Sequence, residues 1–208
     1  MRTADSRGGQ ARLTAPGMAL LLALLLATGA QAQGTPSTRF DANVTLQGQA
    51  LLLNGAGTRY KAVFRVYDMG LYTTRRVATP AELLALPGAK RLQFVALREL
   101  PGTDLGRLFI KGLSDNARPD EMNRHLPSMT RFIEIFSGRS KLMPGDSFAM
   151  DFVPGKGTQF FIAGQPQGTP VGDDEFFRLV LRIWFGERPA DHLLRDALLG
   201  VAPRVELR

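Results

Sequence analysis

The chain has 208 residues, of which 44% are hydrophobic and 22% are charged, and its formal net charge is +7. This composition is typical of a globular protein rather than a disordered chain, and the length allows one domain or two small ones. The absence of cysteine excludes disulfide frameworks, iron–sulfur clusters, zinc ribbons and thiol nucleophiles. The two histidines, His125 and His192, lack the paired spacing of a metal motif, so we predict no metal site and no cofactor.

The first 32 residues have the pattern of a cleaved secretory signal. Three arginines precede an apolar run at residues 18–27, and small residues ending at Ala32 match the requirement of a signal peptidase. The apolar run is shorter than the roughly 20 residues that span a bilayer, which favours cleavage over a membrane anchor. Cleavage near Ala32 predicts a periplasmic or secreted protein with a flexible leader at residues 33–39 and a domain at residues 40–202.

The positive charge of the chain is compatible with several kinds of partner. Export separates the protein from nucleic acid, and the Lys and Arg residues are scattered rather than arranged along one face. We therefore expect no nucleic acid partner. Solubility and contact with an anionic membrane surface are the interpretations that remain.

Alternating apolar residues predict strands at the start of the domain. The alternation covers residues 44–53, and the glycine-rich residues 54–57 then predict a turn. Residues 60–73 predict one long strand, on which Arg65 and Tyr67 share a face. That face is informative because a buried charge needs a partner.

The rest of the chain alternates between helical and strand patterns. In chain order it predicts a short capped helix at 79–86, a strand at 91–97, a helix at 105–113, a helix at 119–136 with a kink or a restart near Pro127, a hairpin of strands at 147–153 and 158–163, and helices at 173–185 and 190–199. This order predicts a mixed, mostly antiparallel α+β domain.

The residues that could carry chemistry are few. Neither Ser128 nor Ser137 lies in the Gly-x-Ser-x-Gly context of a nucleophile. Arg59, Arg65 and Tyr67 remain on or beside the long strand. An arginine fork and a phenol can together hold the acid group of an otherwise apolar ligand, although the same residues also serve as ordinary cross-strand partners.

A set of ordered segments resembles the chalcone isomerase-like family. The segments are Leu53-Asn-Gly-Ala-Gly-Thr-Arg59, Phe64-Arg-Val-Tyr-Asp-Met-Gly-Leu-Tyr72, Ser114-Asp-Asn116, Pro144-Gly-Asp146, Leu181-Arg-Ile-Trp-Phe-Gly186 and Leu198-Leu-Gly200. The set looks most like the exported bacterial branch. The resemblance implies an open-faced β-sandwich, in which helices pack on one face of a large antiparallel sheet and leave an apolar cleft. It also implies one of two activities, because some members close a chalcone into a flavanone and others bind fatty acids.

The resemblance assigns roles to five positions. The catalytic arginine and asparagine of the isomerases match Arg59 and Asn116, whereas three hydroxyl-bearing positions fall on Tyr67, on Phe109 and near Phe177. Phenylalanine donates no hydrogen bond, so isomerisation is not expected and the cleft becomes more apolar. In the fatty-acid-binding members an arginine and a tyrosine hold the carboxylate, and Arg59 and Tyr67 resemble that pair.

The strand geometry leaves the choice of anion anchor open. On a straight strand Arg59 lies roughly 26 Å from Tyr67, whereas Arg65 lies roughly 7 Å away, so Arg65 is the alternative anchor. We predict a periplasmic, non-catalytic protein that binds an apolar acidic small molecule such as a fatty acid. Two alternatives stay open: an intramolecular lyase or isomerase with Arg59 as electrophile and Tyr67 as acid or base, and a cell-envelope interaction module whose own side chains fill the cleft.

Overall fold

A computed structural model describes residues 36–138 and 140–201 of the chain. The signal sequence predicted at residues 1–32 lies outside the described residues, as does the predicted end of the domain at residue 202. Cleavage near Ala32 therefore stays a prediction.

Within the described residues the strands, in chain order, are β1 (Asn43–Leu46), β2 (Gln49–Lys61), β3 (Phe64–Thr73), β4 (Lys90–Ala96), β5 (Leu100–Pro101), β6 (Lys141–Leu142), β7 (Ser147–Val153), β8 (Gly157–Ile162) and β9 (Gln165–Pro166). Seven of them form a curled antiparallel sheet in the order β1-β2-β3-β4-β7-β8-β9. The short strands β5 and β6 pair separately. The predicted hairpin is confirmed as β7 and β8.

The helices of the described residues are α1 (Pro80–Ala85), α2 (Gly102–Ser114), α3 (Pro119–Arg124), α4 (Leu126–Ser137), α5 (Asp174–Phe185) and α6 (His192–Leu198). The main core lies between the sheet and these helices, and α5 is central to it because eight of its twelve residues are buried. The predicted α+β class, with helices on one face of a large antiparallel sheet, is confirmed. None of the helices in this part of the chain is long and apolar enough to cross a membrane.

Local side chains explain where two of the helices begin. The Thr79 hydroxyl accepts from the N–H of Glu82 at 3.2 Å, and the Glu82 carboxylate accepts from the N–H groups of Ala78 and Thr79, which lowers the pKa of Glu82. The helix predicted at 119–136 is two helices that meet at His125. Pro127 lies in the first turn of α4. N–H groups in this turn make no hydrogen bond within the helix, so a proline there costs none.

The prediction for the first hairpin is wrong at two points. Strand β2 continues through the glycine-rich residues 54–57, with a register shift between Leu53 and Gly55, and the chain turns instead at Ala62 and Val63, with Ala62 at φ +53°. The reason is the close approach of α6. A Cβ on Gly55 would overlap the carbonyl oxygens of Ala197 and Leu198, so this glycine makes room for a helix and does not form a turn.

Asn54 fastens this part of β2 to the helical layer. Its side chain is buried; Nδ2 donates to the carbonyls of Val77 at 3.0 Å and Leu198 at 2.8 Å, and Oδ1 accepts from the Val77 N–H at 2.7 Å. The Asn54-Gly55 pair therefore connects β2 both to α6 and to the segment that follows β3.

A buried lysine gives the fold a defined pH dependence. Lys90 Nζ donates to the carbonyls of Leu86 at 2.6 Å and Gly88 at 3.1 Å, and burial lowers the pKa of Lys90 from 10.5 to about 8. Between these values the unfolded chain binds the proton and the folded chain does not. The free energy of unfolding should therefore rise by up to about 3 kcal/mol as the pH increases from 8 to 10.

Urea unfolding of the wild type and of Lys90→Met at pH 7.5 and pH 10 measures this effect. The rise should be present in the wild type and absent in Lys90→Met. A rise of equal size in both proteins would assign it to other groups. The series stops at pH 10 because burial raises the pKa of Tyr72 to about 12, and ionisation of phenols lowers stability above that range.

Candidate functional site

A cavity of about 590 Å³ lies between the sheet and helices α2, α4 and α5. This volume is within the roughly 300–1,000 Å³ of typical small-molecule pockets. Besides Tyr67, six aromatic side chains line it: Phe94, Phe109, Phe132, Phe136, Phe148 and Trp184. Aliphatic side chains from β3, α2 and α5 complete the walls, so the interior is apolar.

The aromatic walls are set by strand register and by helix packing. Phe94 of β4 and Phe148 of β7 are directly paired, and their rings stack at 4.1 Å and 5°. On the helical side, Phe109 of α2 stacks on Phe132 of α4. Alternation along β4 buries Phe94 on the helical face of the sheet. The cavity is therefore formed by side chains that already support one another.

The β2–β3 hairpin places Arg59 and Tyr67 opposite each other. Their Cα atoms are partners in the antiparallel register, and both side chains line the cavity. Directly opposed residues in such a pair lie about 5 Å apart. The separation of roughly 26 Å held only for a straight strand and does not apply, because the chain reverses at residues 62–63, between the two positions.

The Tyr67 hydroxyl is held ready to donate a hydrogen bond. It is buried and accepts from Trp184 Nε1 at 2.9 Å, which is its only hydrogen bond within the described part of the chain. Burial raises the pKa of Tyr67, although the positive charge of Arg59 acts in the opposite direction. Tyr67 therefore keeps its proton at neutral pH, and that proton is free for an acceptor in the cavity.

The Arg59 guanidinium also has donors to spare. Arg59 is half-buried and donates from Nη1 to the Tyr60 carbonyl at 3.0 Å, and no carboxylate among residues 36–138 and 140–201 lies within 4.0 Å of it. The Asp191 carboxylate of the same region is taken up by backbone, accepting from the Tyr60 N–H at 3.0 Å and from two N–H groups at the start of α6. Arg59 and Tyr67 together thus match a carboxylate at an apolar cavity.

Positive charge surrounds the rest of the cavity. The three acids of the lining or rim form ion pairs, Asp104 with Arg107 at 3.2 Å, Asp115 with Lys111 at 2.7 Å and Glu99 with Lys141 at 2.8 Å. Four further cations of the lining make no ion pair with any described residue: Arg59, Lys61, Arg98 and Arg188. The cavity therefore favours an anionic ligand over a cationic one.

The model of a protein family described as chalcone isomerase-like matches residues 32–200. The chain belongs to the chalcone isomerase-like family. The crystal structure of a fatty-acid binding protein of Arabidopsis thaliana has the same fold, with a TM-score of 0.57 at 16% sequence identity over 79% of this chain and 90% of that one. No curated protein sequence matches the chain.

Arg65, the alternative anchor, lies outside the cavity of this chalcone isomerase-like protein. The register of the β2–β3 pair shifts so that Val66 has no partner, and this bulge turns Arg65 away from Tyr67. Arg65 Nη2 donates to Ser37 Oγ at 2.7 Å and lies 3.8 Å from Asp68 Oδ1. The expectation that Arg65 and Tyr67 share a face was wrong.

Asn116 and Phe177, two other predicted site residues, also lie outside the cavity lining. Asn116 Nδ2 donates to the carbonyls of Gly112 and Arg188, and its Oδ1 accepts from the Arg188 N–H at 2.9 Å. Phe177 stacks on Phe152 at 4.2 Å within the core. The predicted site residues that the structure brings together at the cavity are Arg59, Tyr67 and Phe109.

The hydrogen bonds of Asn116 give a prediction that separates structure from binding. Asn116→Ala should lower the free energy of unfolding by about 1–3 kcal/mol, because it removes the side chain that joins the end of α2 to the loop after α5. Ligand affinity should change far less than on loss of Arg59, since Asn116 does not line the cavity although its partner Arg188 does. Urea unfolding and a binding titration on the same preparation test both parts. A loss of affinity without a loss of stability would show that Asn116 contacts the ligand.

Trp184 is a residue of the candidate site to which the sequence assigned no role. It lies on α5, in a segment that contributed to the family resemblance but received no role of its own. A signal was present, since a buried tryptophan usually needs an acceptor for its indole N–H. Nothing local pointed to Tyr67 as that acceptor, because the two residues are 117 positions apart.

Proposed function

We propose that this protein binds a fatty acid, or an acid of similar shape, with the carboxylate at Arg59 and Tyr67 and the chain among the phenylalanines of the cavity. The observation that carries the proposal is the pairing of Arg59 and Tyr67 across the hairpin, each with unused donors, beside an apolar cavity.

The energetics of such a ligand match the two parts of the site. A carboxylate that leaves water needs charge-assisted hydrogen bonds, which the guanidinium of Arg59 and the phenol of Tyr67 can supply. The bond from Trp184 Nε1 to the Tyr67 oxygen polarises the phenol and makes it a better donor. Each methylene buried among the aromatic walls contributes about 0.8 kcal/mol. The acyl chain thus supplies affinity, and the polar pair selects acids over alcohols and hydrocarbons.

The family context supports binding more than isomerisation. The Arabidopsis thaliana protein with this fold is a fatty-acid binding protein. Tyr67 is the sole hydroxyl-bearing side chain among the described residues of the cavity lining, and the Asn116 amide is engaged by backbone elsewhere. Closure of a chalcone needs donors at the ketone oxygen as it becomes an enolate, and Phe109, at a position where the isomerases carry a hydroxyl, can donate none.

The open cavity also bears on the interaction-module alternative. That alternative expects a cleft filled by the protein's own side chains, whereas about 590 Å³ remains between the sheet and the helices. A cavity of this size with an unpaired arginine favours a small-molecule ligand.

The proposal includes export to the periplasm. It is supported by the basic, apolar and small-residue pattern of residues 1–32. Amino-terminal sequencing of the protein isolated from its own cells tests it. A mature chain that begins at Gln33 is the expected result, and an intact amino terminus in the cytosolic fraction would contradict it.

The binding proposal is tested on protein purified from its own cells without detergent. Native mass spectrometry followed by solvent extraction identifies what the protein carries, with Arg59→Gln and Arg65→Gln processed in parallel. The wild type and Arg65→Gln should carry an organic acid with a long apolar chain, and Arg59→Gln should carry much less. A ligand without an acid group, or a loss confined to Arg65→Gln, would contradict the proposal.

A further inference from the structure

The turn between β2 and β3 presents exposed apolar side chains. Val63 is 82% exposed and Phe64 is 61% exposed, the two highest values for large apolar side chains in residues 36–138 and 140–201. They are adjacent and sit at the tip of a hairpin. An exposed aromatic and an exposed aliphatic side chain at one tip indicate a surface that meets an apolar partner.

This tip is continuous with the cavity. Lys61, which ends β2 just before the turn, lines the cavity, and so does Arg98. The Arg98 guanidinium lies over the Phe64 ring, 5.8 Å from its centre. Leu108 of α2, also part of the lining, is 41% exposed. The apolar tip and the exposed edge of the cavity therefore belong to one surface.

The charges around the tip specify the partner. Lys61 and Arg98 make no ion pair with any residue that the structure describes, and the sequence from Arg59 to Tyr67 contains no acidic residue. Exposed apolar side chains flanked by cations suit an anionic lipid surface, because the apolar groups enter the interface while the cations meet phosphates.

The small size of the apolar tip favours a bilayer over a protein. Stable protein interfaces bury about 800 Å² on each partner, which two side chains at a hairpin tip do not provide. Insertion into a bilayer does not need a complementary second surface. The strength of attachment increases with the apolar area that enters the interface and with the attraction of cations to anionic lipid.

We infer that the β2–β3 turn docks this protein on an anionic lipid bilayer, with Val63 and Phe64 inserted and Lys61 and Arg98 at the head-group phosphates. The role of this docking rests on the proposed function, because a cavity held at the bilayer would exchange its fatty acid with the lipid. Attachment itself is measurable without any fatty acid.

The test is sedimentation with vesicles, using Val63→Ser/Phe64→Ser and a matched control. The vesicles contain phosphatidylcholine alone or equal parts phosphatidylcholine and phosphatidylglycerol. Leu126→Ser is the control, since Leu126 is 57% exposed at the start of α4 and does not line the cavity. The wild type and Leu126→Ser should bind the anionic vesicles, and added salt should weaken that binding. The affinity of the double variant for the anionic vesicles should be at least about tenfold lower than that of the wild type.

The cations are tested in the same assay. Lys61→Gln and Arg98→Gln should each weaken binding to anionic vesicles by about fivefold, as expected for loss of one cation at a charged lipid surface. Equal binding by the wild type and the double variant, or no binding by the wild type, would overturn the inference. It also fails if light scattering shows a wild-type dimer that the double variant disperses, because the tip would then be an interface between two copies.

Fatty-acid binding measured without vesicles keeps the two proposals apart. A double variant that binds a fatty acid normally but no longer binds vesicles supports docking by the tip. Vesicle binding by a wild-type protein that binds no fatty acid would remove the proposed function and leave docking in place. Fatty-acid binding by a wild-type protein that does not bind vesicles would overturn docking and leave the proposed function in place.

Discussion

Arg59→Gln is expected to weaken the binding of a long-chain fatty acid by about 10- to 100-fold, because charged hydrogen bonds to a carboxylate contribute about 1.5–3 kcal/mol. Tyr67→Phe should weaken binding by a smaller factor, since it removes a neutral donor and keeps the edge-to-face contact with Phe94. Calorimetric titration with palmitate measures both. Glutamine keeps a polar side chain but is shorter, so the change removes the positive charge together with the guanidinium fork.

The matched control for this prediction is Arg65→Gln. Arg65 lies two residues from Tyr67 but on the other side of the sheet, bonded to Ser37. The Arg65→Gln variant should bind palmitate with the affinity of the wild type. A titration with the corresponding alcohol adds a second control, because Arg59→Gln should affect the acid far more than the alcohol. Equal losses for acid and alcohol, or equal losses in the two arginine variants, would show that Arg59 does not hold the carboxylate.

Asn54→Ala is expected to lower the free energy of unfolding by about 3–5 kcal/mol. The substitution removes three hydrogen bonds in a buried site, leaving the carbonyls of Val77 and Leu198 and the Val77 N–H without their partner. Urea unfolding measures the loss. Asn123→Ala, at an exposed asparagine of α3, is the control and should change stability by less than about 0.5 kcal/mol. A loss below about 1 kcal/mol at Asn54 would mean that water or local rearrangement replaces these bonds.

Local patterns predicted much of the fold. The capping residues Thr79 and Glu82 indicated the start of α1, and the turn residues 154–157 between two strand patterns indicated the β7–β8 hairpin. The first hairpin failed because glycines in a turn and glycines under a close-packed helix look the same in sequence. Gly55 faces the backbone of α6, and the real turn uses Ala62 in a conformation that alanine seldom adopts.

The candidate site was only partly predictable for the same reason. The family resemblance pointed to Arg59 and Tyr67, but their proximity depends on hairpin register, and a bulge at Val66 decides which side of the sheet Arg65 faces. Asn116 matched a motif, yet its amide is used to join two segments of backbone. The contact between Trp184 and Tyr67 exists only in the folded chain. Register, bulges and long-range contacts are tertiary properties that a local pattern does not contain.

A crystal structure of the complex with a long-chain fatty acid tests the binding site most directly. We expect the carboxylate within hydrogen-bonding distance of the Arg59 guanidinium and the Tyr67 hydroxyl, with the acyl chain between Phe94 and Phe109. A carboxylate held at Lys61 or Arg98 instead, or a fatty acid bound outside the cavity, would contradict the assignment of Arg59 and Tyr67 as the acid-binding pair.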